Sequence, residues 1–172
     1  MMIRAEEAIA RADKLVKKFG TRDADRLADE LGIIVVPRNF VKQKGVYKVI
    51  ERNRYVFIKQ DLHPVMHSIV LLHEIAHDTL HRKEAVRAGG FHEFNIFDMR
   101  DRRMEYEANL FVAQVSLPDD EILEYIYQGM DTAQIARAMN SDINLVALKA
   151  DALIMQGHRL RAQEYGRDFL KG

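Results

Sequence analysis

Apolar residues recur along this chain with two alternating periods, and each switch between them marks an element boundary. From Ile3 to Phe19, Ile9, Ala12, Val16 and Phe19 fall at helical spacing, and Gly20 supplies a stop. Thr21 or Asp23 is placed to cap a second helix through Ala24, Leu27, Ala28 and Leu31, which Gly32 ends. The run from Ile33 to Val36 is β-branched throughout and reads as a short strand closed by Pro37. After Gly45, VYKVI and RYVFIKQ read as two strands of a hairpin turned at Glu51, Arg52 and Asn53, with Tyr47 and Tyr55 as ordinary strand aromatics. From Val65 to Leu80 the helical period returns, now with Met66, Ile69, Val70, Ala76 and Leu80 on one side and Leu71 and Ile75 on the other. A helix apolar on nearly every side belongs inside a core.

The second half is helical. RRMEYEANLFVAQVSLP, from Arg102 to Pro118, places Met104, Ala108, Phe111 and Val115 on a core stripe, with Glu105, Asn109 and Val112 on the neighbouring row. DDEILEYIYQGM then reads as a capped helix burying Ile122, Leu123 and Ile126. Residues 131–153 form two short helices across Asn140 and Ser141, with Ile135, Ala136, Met139, Ile143 and Val146 facing inward. This is the outline of a helix-turn-helix. Its second helix offers only Lys149 to phosphates, so a structural helix pair is the better reading. Residues 82–101, rich in charge and carrying Gly89 and Gly90, read as a loop hinged at those glycines and able to cover a cleft. Within it, Phe91, Phe94 and Phe97 read as packing anchors. His92 reads as a solvated histidine rather than an oxyanion donor. The tail from Gly157, with Arg159, Arg161 and Arg167, reads as a solvated end.

Composition narrows the function. The 172 residues carry 26 basic and 26 acidic side chains and no net charge, which argues against a nucleic-acid backbone or an anionic membrane as the main partner. There is no cysteine, which excludes disulfides, thiolate metal sites and cysteine nucleophiles. No stretch has the length of a membrane span and the N-terminus lacks an apolar signal region, so a soluble cytoplasmic protein is expected.

The chemistry lies in HEIAH, residues 73–77, an H-E-x-x-H pattern. On a helix, His73 and His77 share a face one turn apart and can direct imidazole nitrogens at one metal ion, while Glu74 falls beside that face, free to act on water. In this composition the pattern arises by chance about once in fifty chains, so its buried helical context carries much of the argument. A catalytic zinc usually takes three protein ligands and keeps one position open. His81 continues the spacing but lies another turn along the axis. Residue 83, where the metzincin spacing needs histidine, is lysine, which excludes that class. Glu105 or Glu107 on the later helix remains, and spacing does not choose between them.

HEIAH followed by E-x-x-x-N-x-F-x-A and a closing Leu-Pro resembles the ImmA/IrrE metallopeptidases of bacteria and their mobile elements. The likeness runs from about Leu27 to Pro118, with Phe111, Ala113, Leu117 and Pro118 also matching; QVSLP departs from the longer aliphatic run more usual in the family. The resemblance implies that Glu105, four residues before Asn109, completes a site for one Zn2+ ion with His73 and His77, leaving Glu74 as general base. It implies a mainly helical α+β fold: a minimal zincin-like core over residues 1–118, with a small three-stranded sheet packed on the HExxH helix, and a C-terminal helical segment over 119–172 packed on that core. In such cores an edge strand pairs with an extended peptide, and the hairpin is the candidate here. The implied function is a regulatory zinc endopeptidase that cleaves a helix-turn-helix repressor. The rival is a repressor- or DNA-binding module with a structural or inactive metal site. Glu74 argues against it, because a structural site needs no general base and closes all four positions with protein ligands.

Overall fold

Helix α1, Met2–Phe19, ends where Gly20 turns to positive φ, and it buries Ala5, Ala8, Ile9, Ala12 and Leu15. The computed structural model describes residues 2–89, 91–93 and 102–160. Helix α2, Ala24–Leu31, starts at Asp23, whose carboxylate accepts the Arg26 amide at 2.9 Å, and stops at Gly32 in the left-handed conformation. Three strands follow: β1, Ile34–Arg38; β2, Gly45–Ile50; and β3, Asn53–Lys59. A two-residue turn joins β2 to β3, with Glu51 and Arg52 both at positive φ and Asn53 already paired with Ile50. Positive φ at both central residues is the turn geometry that matches strand twist.

Pro37 does not close β1, which continues to Arg38. The reason is its place in the sheet. Strand order is β1-β3-β2-β4, so β1 is an edge strand, where a proline without an amide hydrogen is tolerated. β1 runs parallel to β3, and β2 runs antiparallel to both neighbours.

Helix α3, Pro64–Leu80, carries HEIAH, and every residue from Ile69 to Asp78 is buried. Proline at its first turn has no amide hydrogen to leave orphaned, and His63 Nδ1 accepts the Val65 amide at 3.3 Å. The helix packs against α2 and against strands β2 and β3. The segment read as a loop differs from expectation. Arg82–Ala88 forms a short helix, α4, capped by Gly89 at positive φ, and Phe91–Glu93 forms a three-residue strand, β4, beside Gly45–Tyr47 of β2. RKEAVRA has no breaker and is closed by a glycine, so local propensity favours the helix. With β4 in place, the hairpin strands are both interior, and the sheet's edges are β1 and β4. The expected free edge on the hairpin is thus covered by the chain itself. Gly90, Phe94 and Phe97 lie outside the described residues, as do the side chains of Phe91 and His92.

Helix α5 spans Arg102–Ser116 and buries the expected Met104, Ala108, Phe111 and Val115. The chain divides into two compact units within this helix, Met1–Val112 and Ala113–Gly172. In the second unit, α6 is Asp119–Tyr127, α7 is Thr132–Ala138 and α8 is Ile143–Met155. Asp131 and Gln134 form a capping box on α7, and Asp142 caps α8. One expectation fails here, and the preference for a structural helix pair over a DNA-binding one gains support from Lys149. Ile143 is exposed rather than inward, because it is the first residue of α8. Lys149 is 1% exposed, with its ammonium against Gln114 and Asp119, so it cannot meet phosphates. Arg161 and Arg167 lie outside the described residues. No helix among the described residues is long and apolar enough to cross a membrane.

Candidate metal centre

Successive histidines at positions 73, 77 and 81 follow the face of α3, each about 6 Å further along the axis. The first two meet. His73 Nε2 lies 3.1 Å from His77 Nε2, and the Glu105 carboxylate of α5 spans the pair, Oε2 at 2.9 Å from His73 Nε2 and Oε1 at 3.2 Å from His77 Nε2. These three residues form a group able to hold a metal ion, with ligand atoms all within 4.8 Å of one another.

The other ring nitrogens have partners of their own, and the two Nε2 atoms face Glu105. His73 Nδ1–H donates to Asn109 Oδ1 at 3.0 Å, so the ring presents Nε2 to the centre. His77 Nδ1 lies 3.1 Å from His81 Nδ1. His81 Nε2 in turn lies 2.8 Å from Glu107 Oε2, and Arg103 Nε stands 3.7 Å from the other Glu107 oxygen. The residues fit zinc. Two nitrogens bound to one zinc at about 2.05 Å and near-tetrahedral angles sit about 3.3 Å apart, close to the spacing found. A borderline-soft ion with two imidazoles and one carboxylate is the donor set of hydrolytic zinc sites.

Electrostatics agree. Burial drives the His77 imidazole down, and the charges of His73 and His81 add to this against the pull of Glu105, so its pKa falls to about 4. The ring is therefore neutral near pH 7, as a ligand must be. Burial pushes the Glu105 carboxyl up, but hydrogen bonding and charge from His73 and His77 outweigh it and hold the group well below the usual carboxylate range. His73 and Glu74 are fully buried and His77 is 1% exposed, whereas the Glu105 side chain keeps 13%. Of the four groups, Glu105 is the one that reaches solvent.

Glu74 points toward the sheet. A Cβ placed on Gly45, the first residue of β2, would sit 2.9 Å from Glu74 Oε1 and 2.8 Å from Val70 Cγ1. Glycine at 45 lets the strand approach this carboxylate as closely as backbone can. Beyond the centre, Asp78 is buried and ties four elements together. It accepts hydrogen bonds from Tyr47 Oη at 2.6 Å, Arg54 Nη1 at 2.8 Å and Arg82 Nη2 at 3.0 Å, and Arg54 also donates to the Leu31 carbonyl of α2. Burial and the Asp78 carboxylate push the Tyr47 phenol well above its ordinary value. Tyr47 is thus a hydrogen-bonded core tyrosine.

Of the sequence-predicted residues, His73, His77 and Glu105 come together, and Glu74 lies on the same helical turn. His81 is not a third ligand to that centre; it contacts the far nitrogen of His77. Glu107, which spacing left level with Glu105, contacts His81. Gly45 and Asp78 were missed. Nothing in a lone glycine before a strand, or an aspartate after the motif, flags them.

The family described as the IrrE N-terminal-like domain, peptidase M78, matches residues 28–165. The chain belongs to this family. The match reaches beyond Pro118 and takes in α6, α7 and α8. A family relative, the "uncharacterized immunity region protein 2" of Bacillus phage phi105, is 31% identical over 117 residues, which are 67% of this chain and 72% of that protein.

Proposed function

We propose that this peptidase M78 member is a zinc-dependent endopeptidase in which His73, His77 and Glu105 hold one Zn2+ and Glu74 is the general base. The observation that carries the reading is the convergence of the two Nε2 atoms and the Glu105 carboxylate beside a buried glutamate on the same turn of helix. Bound zinc would supply a Lewis acid for the scissile carbonyl and lower the pKa of water toward about 7. His73 and His77 would serve as neutral ligands, and Glu105 brings the one charge of the ligand set. Glu74 takes the proton of the attacking water on a carboxylate oxygen and delivers it to the leaving amine nitrogen. Transfers of this kind contribute roughly a hundred- to ten-thousandfold.

The substrate class is proposed to be a helix-turn-helix repressor. The family resemblance supports this, and so does likeness to a phage protein named for an immunity region. The burial of Lys149 favours a protein over DNA as the partner of this chain.

The test is co-expression with repressors encoded beside this chain, followed by purification with zinc. Cleavage is expected with the wild type. Glu74→Gln is expected to keep stoichiometric zinc and lose at least a hundredfold in cleavage. Full cleavage by a zinc-loaded Glu74→Gln variant would refute the mechanism.

A further inference from the structure

His81, the C-cap of α3, lies too far along the axis to share a metal with His73, yet it is 3% exposed and so is not a solvated surface residue. Burying an imidazole beside a glutamate that is itself 8% exposed is costly unless each polar atom has a partner of the right sign. Those partners impose a direction. Glu107 Oε2, 2.8 Å from His81 Nε2, is acceptor only, so the proton of a neutral His81 belongs on Nε2. His81 Nδ1 then carries a lone pair. At 3.1 Å it faces His77 Nδ1, which in that arrangement is the donor. With its proton on Nδ1, His77 presents the Nε2 lone pair to His73 Nε2 and Glu105, where the candidate ligand atoms converge.

We propose that His81 and Glu107 are positioning residues of the metal centre, an outer chain that locks His77 in the Nδ1–H tautomer and fixes its ring plane. The inference rests on reading His77 as a ligand. Free imidazole side chains favour the proton on Nε2, the wrong nitrogen for this geometry, so the lock has something to overcome. Outer-shell groups of this kind change metal affinity by roughly ten- to a hundredfold. His73 has its own anchor in Asn109, so the two ligands are held independently, one by a neutral amide and one by a chain that ends in a carboxylate. The H-E-x-x-H-x-x-x-H spacing therefore encodes two ligands and one orienter.

The test reads zinc affinity by competition with a chromophoric chelator, and histidine tautomers by long-range proton–nitrogen NMR on metal-free protein. Wild type is expected to show His77 as Nδ1–H. Glu107→Leu and His81→Phe are expected to weaken zinc ten- to a hundredfold. Glu107→Gln, whose amide oxygen still accepts from His81, should stay within about threefold. A merely structural role would lower the melting temperature of the metal-free variants and leave the zinc affinity of the folded protein unchanged. That result, or a wild-type His77 with its proton on Nε2, would overturn the proposal; the wild-type tautomer decides it even if the leucine and phenylalanine variants fail to fold. Wild type that binds no zinc would instead sink the ligand reading itself, an outcome separable from a zinc-binding wild type whose variants bind equally well.

Discussion

Gly45→Ala is the smallest change with a calculable effect on Glu74, the proposed general base. The added carbon would meet Val70 Cγ1 at 2.8 Å, Glu74 Oε1 at 2.9 Å and Glu74 Cγ at 3.2 Å, whereas ordinary contact begins at 3.4 Å. About half an ångström must therefore be found. Val70 is fully buried and β-branched on a helix, so its rotamer is fixed and it gives way poorly. The Glu74 carboxylate, or the start of β2, must move instead. Overpacking of this size costs about 1–3 kcal/mol, which for a chain of this length lowers the melting temperature by roughly 2–12 °C. A double-mutant cycle read by thermal or denaturant melts assigns the source. In Glu74→Ala or Val70→Ala backgrounds the alanine at 45 should cost at least about 0.5 kcal/mol less than in wild type. Equal costs in all three backgrounds would refute the close approach. Where a substrate is in hand, the displaced base should also slow cleavage by about tenfold, since a 1 Å error at such a group costs on the order of a hundredfold.

Three further outcomes are expected. Elemental analysis should find near-stoichiometric zinc in the wild type and none in Glu105→Ala; retention of zinc in that variant would remove the carboxylate from the site. Metal-free protein should lose stability on acidification. His77 has a folded pKa of about 4 against 6.5 when unfolded, so the unfolded chain binds more protons between those values, and stability falls as pH drops from 6.5 to 4, by at most roughly 3 kcal/mol. Denaturant melts in a chelator that show no such slope would contradict the burial of a neutral ring. In the second unit, Lys149→Met should change stability by less than about 1 kcal/mol, because Asp119 at 40% exposure can be resolvated, while Asp119→Ala strips a buried ammonium of its counter-ion and should cost roughly 2–4 kcal/mol. Equal costs measured by denaturant melts would be inconsistent with that asymmetry.

What was legible in the sequence was whatever periodicity or residue chemistry expresses locally. HEIAH in an apolar helix, a cap at Thr21 or Asp23, and the glycine stops at Gly20 and Gly32 could all be read before any fold was known, as could the buried stripe from Met104 to Val115, whereas the Asp142 cap on α8 was not read. Edges were not legible. Whether Pro37 ends a strand depends on where β1 sits in the sheet, and whether the hairpin offers a free edge depends on β4, a three-residue strand too short to show alternation. RKEAVRA looks like charged loop because a seven-residue helix has no room for an apolar stripe. Lys149 resembled a phosphate contact because its partners, Gln114 and Asp119, lie 35 and 30 residues away. The difference between Glu105 and Glu107 is of the same kind: both meet histidines, and which histidine each one meets depends on three-dimensional register.

That register is itself held by the polar centre. α5 presents Glu105 to His73 and His77, Glu107 to His81, and Asn109 to His73. Apolar burial is less selective about alignment than polar pairing, because it is non-directional. The polar set does not tolerate a slide of α5 along α3. A slide of one turn would carry Glu105 away from the histidine pair and leave buried imidazoles facing aliphatic carbon, each such loss costing about 1–3 kcal/mol. Four contacts would break together, at a combined cost comparable to or above that of a single apolar mismatch. The groups of the candidate centre thus also select the helix alignment in which that centre exists, and His81 with Glu107 contributes to that selection alongside the proposed ligands.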